Sequence, residues 1–292
     1  MPSVAFRQVD VFTSQPFRGN PVAVVMDAAM LSDEEMQRIA SWTNLSETTF
    51  VLPVQKGGAD YRVRIFTPGG ELPFAGHPTI GTAHALLEAG IVQAKSGVLV
   101  QECAAGLVHL NVSNTKEAGN IISFELPSPV LSPLSPEQVD DLEKILRCPL
   151  DRSLPPALVD VGARWIVAHV ADAKTVLNTS PDYSQLTAHD RALKITGVCL
   201  YGEHVSSEVM RIEVRSFAPS CGVNEDPVCG SGNGSVAAFM RHHAVDLPAT
   251  GIVSSAQGQI LGRDGKISLK ISEGKILVGG EAVTCISGSI TL

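Results

Sequence analysis

Three short stretches of the chain carry side chains that could move a proton or hold an anion. Asn44-Leu45-Ser46-Glu47-Thr48-Thr49-Phe50-Val51 sets a carboxylate at the start of a β-like apolar run. A glutamate partly buried at such a strand start has its pKa raised toward the useful range of a general base at neutral pH. A Glu47 that points to solvent or caps a helix end is the plainer alternative, and spacing alone leaves both open. His77 and Asp226 lie in or beside two glycine-containing turns, Glu71-Leu72-Pro73-Phe74-Ala75-Gly76-His77 and Glu225-Asp226-Pro227-Val228-Cys229-Gly230-Ser231. They are candidates to line one cleft, against the bland reading that each is only a turn residue. Cys229 could have a lowered pKa at a helix N-terminus and serve as base or nucleophile; a buried, inert thiol competes with that reading. Glycines 76, 230, 232 and 234 would let a ligand approach the backbone, and helix N-termini attract carboxylates. Tight turns alone would also explain them.

The elements that must position these groups occur twice. Val63-Arg64-Ile65-Phe66-Thr67-Pro68 is matched by Val214-Arg215-Ser216-Phe217-Ala218-Pro219, at an offset of 151 residues, and the two E-x-P-x-x-G turns follow at an offset of 154. Each strand-like run is stopped by proline. Each turn leads into small and apolar residues at helical spacing, Thr79 to Ala89 and Gly234 to Ala244. Helices apolar on most sides belong inside a fold. β-rich stretches precede each copy, at 4–12 and 20–26 and again at 157–170, and four prolines between 127 and 136 read as a linker. The reading is therefore α+β: two pseudo-symmetric halves, 1–130 and 131–292, each a curved sheet around a central helix, with the site in the cleft between them. The last strand is allowed to return to the first half.

Composition narrows the classes of function. The 292 residues are 44% hydrophobic with a net charge of −8, which excludes a disordered chain and makes nucleic acid an unfavourable partner. No apolar run approaches the ~20 residues of a membrane helix, and no cleaved signal is expected. The six cysteines form no C-x-x-C pair, so reduced thiols in the cytoplasm are expected. Gly230-Ser231-Gly232-Asn233-Gly234-Ser235 lacks the last glycine of a dinucleotide fingerprint. The pairs His84/Glu88 and His242-His243/Asp246 have no third ligand spaced to join them. Neither a cofactor nor a metal is expected.

Taken together, Asp10-Val11-Phe12-Thr13 with Pro16-Phe17-x-Gly19-Asn20-Pro21, Ser46-Glu47-Thr48, Phe66-Thr67-Pro68 with Glu71-Leu72-Pro73-Phe74-Ala75-Gly76-His77-Pro78-Thr79, and Glu225-Asp226-Pro227-Val228-x-Gly230-Ser231 resemble the phenazine-biosynthesis PhzF-like family. The resemblance implies the diaminopimelate epimerase-like fold, a homodimer, and a cofactor-free isomerase of a small carboxylate such as trans-2,3-dihydro-3-hydroxyanthranilate. It implies Glu47 as single acid/base, with His77 and Asp226 binding the substrate's polar groups and relaying the proton. It further implies backbone amides around Gly76, His77, Gly230 and Ser231 for the carboxylate, with Ser46 as an orienting group. Cys229 departs from the family's usual threonine, and Gly232 from its alanine. Because related epimerases carry a catalytic thiol at the position of Cys229, a racemase or epimerase using it remains an alternative. A small-carboxylate binding protein without turnover is the third.

Overall fold

The computed structural model describes residues 3–115, 119–205 and 210–291. They form two compact units, residues 1–125 with 279–292, and residues 126–278. In the first unit, β1 (Ser3–Val11) pairs antiparallel with β2 (Asn20–Val25), and helix α1 (Asp33–Thr43) leads into β3 (Thr48–Leu52), parallel to β2. Strand β4 (Tyr61–Thr67) runs antiparallel to β3 and turns back as β5 (Gly70–Leu72). Helix α2 (Gly76–Glu88) then crosses to β6 (Val98–Cys103), parallel to β4, and β7 (Gly106–Thr115) and β8 (Gly119–Glu125) follow as a meander.

The second unit repeats this order. After β9 (Val130–Pro133) and α3 (Pro136–Leu146), β10 (Ala157–Asp160) pairs antiparallel with β11 (Arg164–His169). Helices α4 (Ala173–Asn178) and α5 (Tyr183–Leu193) connect to β12 (Gly197–Glu203), parallel to β11. Strand β13 (Arg211–Ala218) is antiparallel to β12 and turns into β14 (Val223–Asp226), and α6 (Gly230–His242) crosses to β15 (Ile252–Gln257), parallel to β13. Strands β16 (Gly265–Ile271) and β17 (Ile276–Gly280) follow. The last strand, β18 (Ala282–Thr291), pairs antiparallel with β1, as β9 pairs with β10.

Side chains alternate across each sheet, and the alternation separates two kinds of helix. Val22 and Val11 meet α2 at Gly81, and Thr49 bonds Thr82 of α2. The neighbouring residues Val25, Phe50 and Phe66 pack instead with Met36 and Ala40 of α1. In the second unit Cys199 and Ser216 lie against Gly232 of α6. Val198, Leu200 and Phe217 point the other way, into a cluster with Leu142, Val176 and Leu186 of α3, α4 and α5. Each unit is thus a curved, mostly antiparallel sheet around one buried central helix, with amphipathic helices on its outer face. Among the described residues no helix is long and apolar enough to cross a membrane.

Two details differ from the sequence expectations. Both central helices begin earlier than the residues at helical spacing, at Gly76 and Gly230, and Pro78 is tolerated because it falls in a first turn, where its missing N–H has no intrahelical partner to lose. The proline-rich stretch 127–136 contains β9, whose Val130 to Pro133 pair with β10, and Pro136 opens α3 behind a Ser135/Gln138 capping box. The stretch 157–170 is β-rich as expected, a hairpin with Gly162 at φ +96° in its turn.

Candidate active site

In the first unit, α1 stops at Asn44, which takes the left-handed conformation (φ 54°). The chain then turns through Leu45 and Ser46 into β3, and the Glu47 carbonyl accepts the Ala23 amide at 3.3 Å. That pins the backbone of Glu47 to β2 and aims its side chain at the start of α2. Glu47 Oε2 lies 3.3 Å from His77 Nε2, with side chains 15% and 7% exposed. Burial raises the Glu47 carboxyl above the ordinary carboxylate range, and a hydrogen bond with the Ser46 side chain opposes this only in part. A carboxylate so placed holds a proton at higher pH and binds it more strongly, as a general base requires.

Helix α2 is held in place by buried polar contacts. Gln101 Nε2 donates to Thr79 Oγ1 at 3.0 Å while Tyr61 OH donates to Gln101 Oε1 at 3.1 Å. Thr82 donates to Thr49 Oγ1 at 2.8 Å. The N-cap, Ala75, offers no side-chain acceptor to the first turn. Gly76 has a packing reason for its identity: a Cβ there would sit 2.6 Å from Phe124 Cζ. Gly232 and Gly234 likewise face Ser216, Cys199 and Leu126. Close seating of each helix on its own unit is by itself a reason for glycine at these three positions.

The second unit places Asp226, Cys229, Gly230 and Ser231 along the turn from β14 into α6. Asp226 Oδ1 accepts the Val228 amide at 3.0 Å. Gln257 staples the turn: its Oε1 accepts from the Cys229 amide (3.1 Å) and Asn233 Nδ2 (2.7 Å), and its Nε2 donates to the Asp226 carbonyl (2.9 Å). Cys229 is the N-cap, its Sγ accepting the Gly232 amide at 3.3 Å. A helix N-terminus favours a thiolate, but here burial dominates and pushes the thiol well above its usual value, aided by Asp226 and Cys199 nearby. Ser231 Oγ accepts Trp165 Nε1–H at 3.0 Å and lies 3.6 Å from Cys229 Sγ.

Two features escaped the sequence reading. The repeated V-R-x-F and E-x-P are one clasp. Arg64 donates to both Glu71 oxygens at 2.7 Å and lies 5.0 Å from the Phe66 ring centre. Arg215 donates to Glu225 at 2.9 and 2.7 Å, lies 4.7 Å from the Phe217 ring and also reaches the carbonyls of Val176 and Thr179. The signal was present, since arginine and glutamate recur together in both copies. Trp165 had no such signal, because it is 66 residues from Ser231. The remaining helical pair, His84 and Glu88, stands 3.9 Å apart on α2.

The family model described as "PhzC-PhzF: Phenazine biosynthesis-like protein" matches residues 9–288. The chain is 44% identical to "Antisense-enhancing sequence 1" of Schizosaccharomyces pombe, over 97% of each chain. It is 33% identical to the trans-2,3-dihydro-3-hydroxyanthranilate isomerase of Pseudomonas fluorescens, over 97% of this chain and 98% of that one. Among solved structures it is similar to a phenazine biosynthesis protein of the PhzF family from Bacillus anthracis (TM-score 0.87, 26% identity, all of both chains). It shares its fold alone with a probable proline racemase from Agrobacterium radiobacter (TM-score 0.66, 14% identity, 99% and 93% covered). Matched along nearly its whole length, and related to proteins named as isomerases and epimerases, this chain belongs to the phenazine biosynthesis-like family and is an enzyme of the isomerase class.

Proposed function

We propose that the protein is a cofactor-independent isomerase that moves a proton on a small unsaturated amino carboxylic acid, with Glu47 as the single acid/base. The observation that carries this reading is the buried Glu47 carboxyl, raised in pKa and 3.3 Å from His77 Nε2. Glu47 takes a proton from a carbon acidified by a conjugated alkene and carboxylate, and returns it elsewhere on the same face. His77 and Asp226 bind the amine or hydroxyl of the substrate and relay the proton. Ser46 orients the base, and the amides around Gly76, Gly230 and Ser231 hold the carboxylate, as helix N-termini do. The relative named as trans-2,3-dihydro-3-hydroxyanthranilate isomerase supports that acid as the first probe. A one-base shift is also supported by Cys229, because a thiol raised by burial is neutral at pH 7 and serves inversion poorly.

The test is NMR in D₂O with trans-2,3-dihydro-3-hydroxyanthranilate, diaminopimelate and proline derivatives, each run with wild type and Glu47→Gln. Rearrangement of the dihydro acid, slowed about 10²-fold or more in Glu47→Gln, is the expected result. Deuterium entering an α-carbon in Glu47→Gln but not in Cys229→Ser would overturn it in favour of an epimerase. Ligand binding without any turnover would leave a carboxylate-binding protein. We further propose a homodimer in the cytoplasm, supported by the family resemblance and by six unpaired thiols. A monomer mass in sedimentation equilibrium would contradict the dimer.

A further inference from the structure

We infer that Gln257 is a positioning residue for the proposed reaction: its side-chain amide stands in place of the direct hydrogen bond that would close the Asp226–Cys229 turn, and so sets where the Asp226 carboxylate lies. The inference rests on the proposed roles of Asp226, Gly230 and Ser231 in holding the substrate. In an ordinary four-residue turn the first carbonyl accepts from the fourth amide. Here that pair is Asp226 and Cys229, and both turn to Gln257 instead. The Cys229 amide donates to Oε1 at 3.1 Å, and the Asp226 carbonyl accepts from Nε2 at 2.9 Å. A peptide N–H only donates and a peptide carbonyl only accepts, so these two partners fix the orientation of the glutamine amide. Asn233 Nδ2 donates to the same Oε1 at 2.7 Å and to the Cys229 carbonyl at 2.9 Å, while Ser255 Oγ donates to Asn233 Oδ1. Gln257 is 1% exposed and Asn233 is fully buried, so water does not compete for these groups. The Asp226 carboxylate is tied to the same turn through the Val228 amide, at 3.0 Å.

The other copy of the repeat separates this role from the seating of a central helix. Strand register sets Tyr61 opposite Gln101, Ile212 opposite Ser255 and Val214 opposite Gln257. Because Val63 recurs as Val214, Gln101 is the counterpart of Ser255, and Cys103 that of Gln257. Gln101 donates to Thr79, the fourth residue of α2, as Ser255 donates to Asn233, the fourth residue of α6. That anchor is common to both units. The glutamine bridge belongs to the second unit, since a thiol at Cys103 has no second polar atom with which to span a carbonyl and an amide. It therefore accompanies the turn that carries a carboxylate: Asp226 stands where the first copy has Leu72. Gln257 also helps decide which amides of the turn stay available. The Cys229 amide goes to Gln257, that of Gly232 to Cys229 Sγ, and that of Asn233 to the Cys229 carbonyl at 3.0 Å. The amides of Gly230 and Ser231 are left for the substrate carboxylate.

Without the glutamine amide, the Asp226 carbonyl and the Cys229 amide can pair directly, which draws the turn shut and moves the carboxylate. The test compares Gln257→Met, which keeps the chain length and loses both polar atoms, with Ser255→Ala, which breaks the common anchor and leaves the bridge. Each variant is crystallised, and its kinetics on trans-2,3-dihydro-3-hydroxyanthranilate are measured at a temperature where both are fully folded. In Gln257→Met the Asp226 carboxylate is expected to move by about 1 Å and kcat to fall about 10²-fold. Ser255→Ala is expected to lower thermal stability and to keep both the position of Asp226 and the wild-type kcat. Gln257→Asn keeps the amide but is one methylene too short to reach both partners. It is expected to follow Gln257→Met, and it replaces that variant if methionine prevents folding. An Asp226 carboxylate that keeps its wild-type position in the Gln257 variants, or equal losses of kcat in these and in Ser255→Ala, overturns the inference. Failure of the proposed function reads differently: wild type then leaves the dihydro acid unchanged, and the position of Asp226 in the variants still decides whether Gln257 sets the turn.

Discussion

Burial lifts the Glu47 carboxyl above its ordinary range, so the folded chain holds that proton to a higher pH than the unfolded chain does. Between the two pKa values the native state binds more protons, and stability therefore falls as pH rises through that window. Glu47→Gln removes the base and this pH penalty together. The variant is expected to lose activity and yet to unfold at a higher temperature than wild type near about pH 8, with the difference gone near about pH 4; thermal unfolding at both pH values checks it. Glu213 offers the same physics away from the proposed chemistry. Burial pushes it up to about 7, with Arg211 and Arg215 opposing, while burial and Arg211 lower its neighbour His204, 3.0 Å away. At mildly acid pH the Glu213 carboxyl is protonated, and burial disfavours charge on the imidazole beside it as well. Stability falls as pH rises from the ordinary carboxylate range to about 7, and Glu213→Gln should flatten it across that window. A slope that persists in the variant would assign the dependence to other groups.

Among elements, the two copies of the strand–turn clasp make a controlled comparison. The Arg215–Glu225 pair is 5% and 3% exposed, whereas Arg64 and Glu71 are 19% and 34% exposed. Removing one partner of a buried pair strands a charge, at a cost of about 3–5 kcal/mol, while a solvated pair contributes roughly 0–1 kcal/mol. Glu225→Gln should therefore destabilise far more than Glu71→Gln, as denaturant titration would show; equal effects would mean that water reaches the inner clasp. The central helices are exacting in another way. A Cβ at Gly81 would stand 2.4 Å from Val22 Cγ1 and 3.0 Å from Val11 Cγ2. Gly81→Ala should cost about 1–3 kcal/mol through overpacking and displace His77 on the same helix. Its activity should fall further than that of an equally destabilised surface variant.

At the scale of the whole chain, each unit borrows a strand from beyond its own repeat. Strand β18 comes from the far end of the chain to cover β1, pairing from Ser3↔Thr291 to Val11↔Ala282 with an irregularity at Gln8/Val9. Deleting 282–292 would leave β1 paired with β2 on one side only and open a sheet edge on the other, which invites association with other chains. Light scattering is expected to show aggregation of that deletion and none of the full chain. A truncated chain that stayed monodisperse with wild-type unfolding would show the β1–β18 pairing to be dispensable.

Patterning alone reached the α+β class, the duplication and the two buried helices, because each is written locally. Alternation, a proline stop, a glycine and small residues at helical spacing recur in both copies, and each is a short-range constraint on the backbone. The outer helices α1 and α3 were equally local, announced by capping boxes at Ser32/Glu35 and Ser135/Gln138 that the reading passed over. What the linear pattern could not contain were distances between residues remote in sequence. Only the folded chain brings Glu47 to His77, Trp165 to Ser231 and Gln257 to the Cys229 turn. Only burial, a property of packing, decides that the Cys229 thiol rises despite its place at a helix N-terminus. Desolvation depends on every atom around a group, so it is settled by the tertiary structure and by nothing shorter in range.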